Sequence, residues 1–219
     1  RQSYVLPPML LKKGNTQQVF NESDLQLEGR FKVGGQEHFY LEGQVAYAVP
    51  QEDGCLHLWC STQHPTEMQH LVARCCGLDA GQVVVEMRRM GGGFGGKESQ
   101  SALFCCLASI AAQKLNRPVK CRLDRDDDML ITGKRHHFNY DYRVAFNDTG
   151  KIKALQLKML LGCGYSADLS GPVATRALCH VDNAYSLQQV DLSAIFCKTN
   201  TQSNTAFRGF GGPQGAFAT

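Results

Sequence analysis

No part of this 219-residue sequence stays apolar for long. The longest such stretch, Leu103 to Ala112, has ten residues and contains Cys105, Cys106 and Ser109. A membrane-spanning helix needs about 20, so the sequence holds none. Arg1 to Pro8 lacks an apolar segment behind a basic flank and does not read as a secretory signal. An excess of charge of either sign is also missing. The net charge is +3, and no basic stripe is interleaved with aromatics, which argues against a nucleic-acid partner. There is no C-x-x-C, and the seven histidines show no zinc-type spacing with the ten cysteines. Two cysteine pairs, Cys75-Cys76 and Cys105-Cys106, are sequence neighbours, which rarely bridge. The thiols are therefore expected to be reduced, as in a cytoplasmic protein. Repeats and low-complexity tracts are absent. What remains, 43% apolar and 20% charged residues, is a chain able to bury a sizeable core as one domain or two closely joined ones. It opens without an initiator Met and stops soon after a glycine-rich turn, so it is read as a fragment of a larger subunit.

Residues 1–28 read as a polar, irregular lead-in, with Pro7-Pro8 barring a helix. Residues 29–219 read as one α+β domain of mixed sheets with packed helices. Val45 to Val49 and Leu56 to Cys60 have strand character across a turn at Glu52-Asp53-Gly54. Pro65 to Cys76 has an apolar face of Met68, Leu71 and Val72, a proline in its first turn and Gly77 as terminator, which predicts a helix. Gln82 to Met90 reads as a strand, Glu98 to Leu115 as a second helix and Pro118 to Leu123 as a strand. Phe138–Phe146 and Lys151–Leu160 read as a hairpin turning at Asn147-Asp148-Thr149-Gly150. Residues 161–189 read as loop-rich, and Leu192 to Cys197 as a short strand.

Two glycine-rich turns stand out. Between a strand and a helix lies Gly91-Gly92-Gly93-Phe94-Gly95-Gly96, whose backbone N–H groups could converge on an anion. It departs from a P-loop because Glu98 follows Lys97 where Ser or Thr is needed. The second turn, Arg208-Gly209-Phe210-Gly211-Gly212-Pro213, offers an Arg and a ring. Two glycine loops that each present a phenyl ring suggest one planar ligand held by both. Gln36, behind Gly34-Gly35, is a neutral donor and acceptor suited to a cavity wall. His38 reads as a structural histidine in preference to a metal ligand, and Glu37 and Glu42 as solvent-facing. Asp124 to Asp128 lacks the spacing of a calcium loop. It reads as a helix cap pairing with Arg122, Arg125 and Lys134. Lys134-Arg135-His136-His137 reads as a solvated, salt-bridged segment, and by pattern alone Arg176 is a surface residue.

The runs VGGQEHFYLEGQ (33–44), RRMGGGFGGKE (88–98), LDRDDDMLITGKRH (123–136), DLSGPVATRALCHVDNAY (168–185) and CKTNTQSNTAFRGFGGPQG (197–215) resemble the xanthine dehydrogenase family of molybdenum hydroxylases. The Ser-Gly-Pro before Arg176 and the segment 61–73 look like the separate large subunit of bacterial members. The resemblance implies a molybdopterin-binding domain that takes part in hydroxylating a purine carbon such as that of hypoxanthine or xanthine, with water as oxygen source. Electrons would pass to 2Fe-2S clusters, FAD and NAD carried elsewhere. It implies Gln36, Phe94, Gly95 and Arg208 at the molybdenum cofactor, with no direct side-chain ligand to the metal. Glu98, Arg176 and Phe210 would bind the substrate, Glu98 and Arg176 also acting in catalysis. The family's catalytic base Glu lies outside this sequence, so the fragment alone is expected to be inactive. A partner subunit carrying Fe-S and FAD, in a dimer of heterodimers, is likewise implied. An aldehyde oxidase or another hydroxylase of the family is the nearer alternative, and a non-catalytic assembly module the more distant one. The presence of both Glu98 and Arg176 favours a purine.

Overall fold

The computed structural model describes residues 3–219. It divides into two compact units, one of residues 3–36 and 134–219 and the other of residues 37–133, so the chain crosses between them after Gln36 and after Gly133.

The first unit is built on a five-stranded sheet. Its strands are β1 (Met9–Lys13), β2 (Leu25–Val33), β7 (Phe138–Phe146), β8 (Ile152–Gly164) and β9 (Val190–Lys198), in the order β1-β9-β8-β7-β2. β7 and β8 form the expected hairpin, closed by Gly150 at a φ of +79°. β8 and β9 are parallel and so need a crossover, which α5 (Ser170–Cys179) provides. β9 buries every second residue, Val190, Leu192, Ala194 and Phe196, the period of a strand with one covered face. These side chains meet Phe138, Tyr140, Leu157, Met159 and Leu161 from the neighbouring strands and Val173, Ala174, Ala177 and Leu178 from α5.

Two expectations fail in this unit. The lead-in is not irregular: Met9–Lys13 pairs antiparallel with β9, α1 (Thr16–Glu22) follows, and β2 begins at Leu25. Asn15 caps α1 by accepting the Gln18 N–H, and Phe20 packs on Ala145 and Ala154. The 161–189 stretch holds a helix that Ser170-Gly171-Pro172 disguises. Its apolar residues recur at 173, 174, 177 and 178, a helical stripe.

The second unit is a four-stranded sheet, β5-β4-β3-β6, with β3 (Val45–Pro50), β4 (Leu56–Cys60), β5 (Val83–Glu86) and β6 (Val119–Arg122). Helix α2 (Pro65–Cys76) is the crossover joining the parallel pair β4 and β5, and Gly77 ends it in the left-handed region at φ +67°. Helix α3 (Ser101–Leu115) follows the glycine loop and starts three residues later than its sequence suggests. Ala108 and Ala112 are buried against Ala46, Ala48, Leu58 and Met68, the small side chains letting α3 lie close to the sheet. A short helix, α4 (Arg125–Ile131), completes the unit, and α6 (Gly212–Ala216) ends the first. All ten cysteines are free thiols. No helix among the described residues is long and apolar enough to cross a membrane.

Candidate functional site

In the second unit the glycine loop is held from inside by side chains. Gln63 Oε1 accepts the N–H groups of Gly95 at 2.9 Å and Lys97 at 3.2 Å, while Gly96 N–H donates to Gly93 O at 2.8 Å. Three of the N–H groups that an anion would need are therefore already used, and the expected anion cradle is not formed at Gly95 to Lys97. Side chains also set where glycine is required. A Cβ on Gly93 would lie 2.5 Å from Gln63 Oε1, and one on Gly96 2.7 Å from the His38 ring. Phe94 sits in the left-handed region at φ +54°, a conformation that costs a bulky residue about 1 kcal/mol or more. The residue is 48% exposed. Glu98 is half-buried in the turn before α3.

Lys97 is the residue that sequence reasoning passed over. It is fully buried, its Nζ donating to Glu42 O at 2.7 Å and to Ser61 Oγ at 2.8 Å and lying 4.5 Å from the centre of the Tyr40 ring. Burial lowers its pKa to about 8, against the attraction of Asp128 and Glu42. Tyr40 hydroxyl in turn donates to Asp128 Oδ1 at 2.5 Å, and Asp128 Oδ2 accepts the Gln44 N–H at 2.6 Å. Burial and the neighbouring Asp128 carboxylate push the Tyr40 hydroxyl pKa up. The acidic run is thus corrected in part. Asp124 caps α4 by accepting the Asp127 N–H, as expected, but Asp128 is buried in this network, and Arg125 donates to the Leu41 carbonyl. His38 is buried with its ring 6.0 Å from that of Tyr40.

In the first unit α5 and α6 carry the other candidates. Gly209, Phe210 and Gly211 all have positive φ, +90°, +49° and +89°. A Cβ on Gly211 would lie 2.0 Å from the Val173 carbonyl oxygen, so the turn presses its main chain directly onto α5. Arg176 projects from α5 beside Gly212, its Nε 3.8 Å from where a Cβ would stand there, and is exposed. Phe210 packs at the margin of the core and Arg208 is exposed. The structure therefore brings Arg176 together with the Phe210 turn, 34 residues on.

Arg135 links this turn to Gln36. Its guanidinium donates to Arg208 O at 2.8 Å and to Gln214 Oε1 at 3.4 Å and lies 3.9 Å above the Phe207 ring, while its backbone N–H donates to Gln36 O at 3.0 Å. Burial lowers its pKa. His136 is fully buried, with Nε2 2.7 Å from Ser170 Oγ, and burial pulls its pKa down to about 4. His137 fills the space above Gly162. The 134–137 segment is thus a half-buried strut with His136 fully enclosed, in place of the expected solvated cluster. Its charged letters hid this, since nothing in the pattern marks a hub.

Gln36, exposed at its side chain, lines a cavity of about 370 Å³ with Gly34, Gly35, Arg135, Gln214 and Phe217. The carboxamides of Gln36 and Gln214 and the Arg135 guanidinium line this opening beside Gly34, where a Cβ would meet nothing within 4 Å, and the buried Arg135 Nε has no protein acceptor. That donor set suits a polar, anionic heterocycle. Among the described residues, no group of three or more His, Cys, Asp or Glu could hold a metal ion directly.

Mixed sheets thus carry two glycine turns, each holding a phenylalanine in the left-handed region, and the first unit has a cavity lined by the carboxamides of Gln36 and Gln214. The chain belongs to the molybdopterin cofactor-binding domain family, whose model matches residues 4–219. It is 49% identical over 216 residues to a xanthine dehydrogenase/oxidase of Gallus gallus, covering 98% of this chain and 16% of that one. To a xanthine dehydrogenase of Drosophila subobscura it is 50% identical over 211 residues, covering 96% of this chain and 16% of the relative. Among solved structures it resembles the aldehyde oxidoreductase of Desulfovibrio gigas, with a TM-score of 0.90 and 28% identity over 98% of this chain and 24% of that one. The chain thus spans about one sixth of the length of the curated relatives it matches.

Proposed function

We propose that the chain is the molybdopterin-binding part of a xanthine dehydrogenase that hydroxylates a purine carbon. Identity of 49% to a xanthine dehydrogenase/oxidase over 98% of the chain supports the assignment. The observation that carries the purine reading is the placement of Arg176 beside the Gly209–Gly212 turn that offers Phe210. The cofactor supplies the redox centre when bound. In this reading Gln36, Phe94, Gly95 and Arg208 contact it, with the Arg208 carbonyl fixed by Arg135 and the Gly95 N–H fixed by Gln63. Glu98 hydrogen-bonds the purine ring, and Phe210 packs on it. Arg176 holds an exocyclic oxygen and stabilises the negative charge that attack at carbon loads onto the ring. Fe-S and FAD carriers, NAD as acceptor, a dimer of heterodimers and a cytoplasmic setting complete the proposal. Within it residues 29–219 belong to one cofactor domain, and β1 and α1 of segment 1–28 are built into its first unit.

The test uses the full-length enzyme. Arg176→Met should lower kcat for xanthine by on the order of 10², with molybdenum content unchanged, comparable to losing one oxyanion donor. Unchanged turnover would return an aldehyde-type activity, for which the Desulfovibrio gigas fold likeness is the supporting observation, to first place.

A further inference from the structure

We propose that Lys97 is a positioning residue that braces the Gly91–Gly96 loop from within the protein, and that its ammonium sets the direction in which Phe94 and Glu98 project. The assignment rests on the roles given above to those two residues, but its geometry stands apart from them. Lysine is almost never fully buried without a specific partner. Here it follows the glycine loop directly and turns inward, with no solvent exposure. Its three N–H donors face a definite set: Glu42 O at 2.7 Å, Ser61 Oγ at 2.8 Å and the face of Tyr40 at 4.5 Å. Glu42 is also bound to the start of the loop, its N–H donating to Gly91 O at 3.2 Å. One ammonium therefore ties the end of the loop to the residue that holds its beginning.

The main chain around Lys97 is pinned with equal care. Its carbonyl accepts from Gln63 N–H at 2.8 Å, Thr62 Oγ1 at 3.1 Å and Ser101 Oγ at 3.3 Å, and its own N–H goes to Gln63 Oε1. The Gly96 carbonyl accepts from Gln44 Nε2 at 3.0 Å. A loop with five glycines in six residues has little conformational stiffness of its own, so its order must come from such outside contacts. Buried polar networks supply it, and they lose it steeply when one member is removed. The negative groups that hold the ammonium are Asp128 and Glu42, while Arg125 opposes it.

The experiment compares wild-type and Lys97→Met full-length enzyme by hydrogen exchange and by turnover per molybdenum atom. Met keeps the length of the side chain and removes the charge and the donors. Amides of residues 91–98 should exchange at least about tenfold faster, with α2 unchanged. The kcat per molybdenum should fall by roughly 10–100-fold, the scale expected when reacting groups shift by about 1 Å. Ser61→Ala, which removes one acceptor and leaves the charge, should move both readouts in the same direction by a smaller factor. It also serves as the deciding variant if Lys97→Met does not fold. Unchanged exchange in residues 91–98, or faster exchange spread evenly over residues 37–133, would overturn the proposal, because a purely structural lysine would loosen the whole unit. Wild-type enzyme inactive on xanthine would defeat the purine reading alone, since the exchange arm still decides the role of Lys97.

Discussion

Gly211 and Gly150 share a left-handed backbone but not a reason for it. At Gly150, φ is +79° and a Cβ would meet nothing, so alanine there carries only the conformational cost of about 1 kcal/mol. At Gly211, φ is +89° and the Cβ would lie 2.0 Å from a main-chain carbonyl of α5, which cannot swing aside as a side chain would. Gly211→Ala should therefore destabilise the packing of α6 on α5 by more than about 2 kcal/mol. Hydrogen exchange over Ser170–Cys179 in the full-length protein measures it. Equal effects of Gly150→Ala and Gly211→Ala on that helix would show that the close approach is unimportant. The same distinction explains why the second glycine turn is so dense in glycine. Gly215 also sits against α5, where a Cβ would lie 2.1 Å from the Ala177 carbonyl oxygen.

The segment 134–137 and helix α5 depend on each other through His136. Its pKa is near 4 in the folded chain and about 6.5 in the unfolded one. Between those values the unfolded chain binds more protons, so stability falls as pH falls from 6.5 towards 4 and is unaffected by this group above about 7. The loss should reach about 2 kcal/mol by pH 5. Opening free energies of residues 134–140, from hydrogen exchange corrected for intrinsic rates, should show that slope in wild-type protein and lose it in His136→Gln. A flat wild-type profile would contradict the buried neutral imidazole. Elements with strict period or strong punctuation were legible without coordinates. Pro65–Cys76 agrees to the residue because proline, an apolar stripe and Gly77 mark it, and β7 agrees because its hairpin turn is explicit. Helix α5 was missed because Gly171 and Pro172 sit in its first turn, where proline is tolerated. β1 and α1 were missed because an edge strand and a short exposed helix carry little hydrophobic pattern. The candidate site residues stand out in the sequence as motifs, but the side chains that hold them do not. Lys97, Gln63 and Arg135 work through burial and long-range hydrogen bonds, which no local spacing encodes.

At the scale of the whole molecule, the chain is a molybdopterin cofactor-binding domain that spans about a sixth of the length of the relatives it matches. In the proposed function, purine preference rests on two polar side chains, Arg176 of the first unit and Glu98 of the second. Replacing both with apolar residues should leave the core of each unit intact, since Arg176 is exposed and the half-buried Glu98 lies outside the apolar core of its unit. The most direct measurement is kcat/KM for xanthine and for an aromatic aldehyde in full-length Glu98→Val/Arg176→Met, normalised to molybdenum content. The account predicts that the xanthine value falls by at least about 10³ while the aldehyde value holds or rises, because charge stabilisation in the transition state and the ring hydrogen bond are lost together. A double variant that keeps the wild-type ratio of xanthine to aldehyde would contradict it.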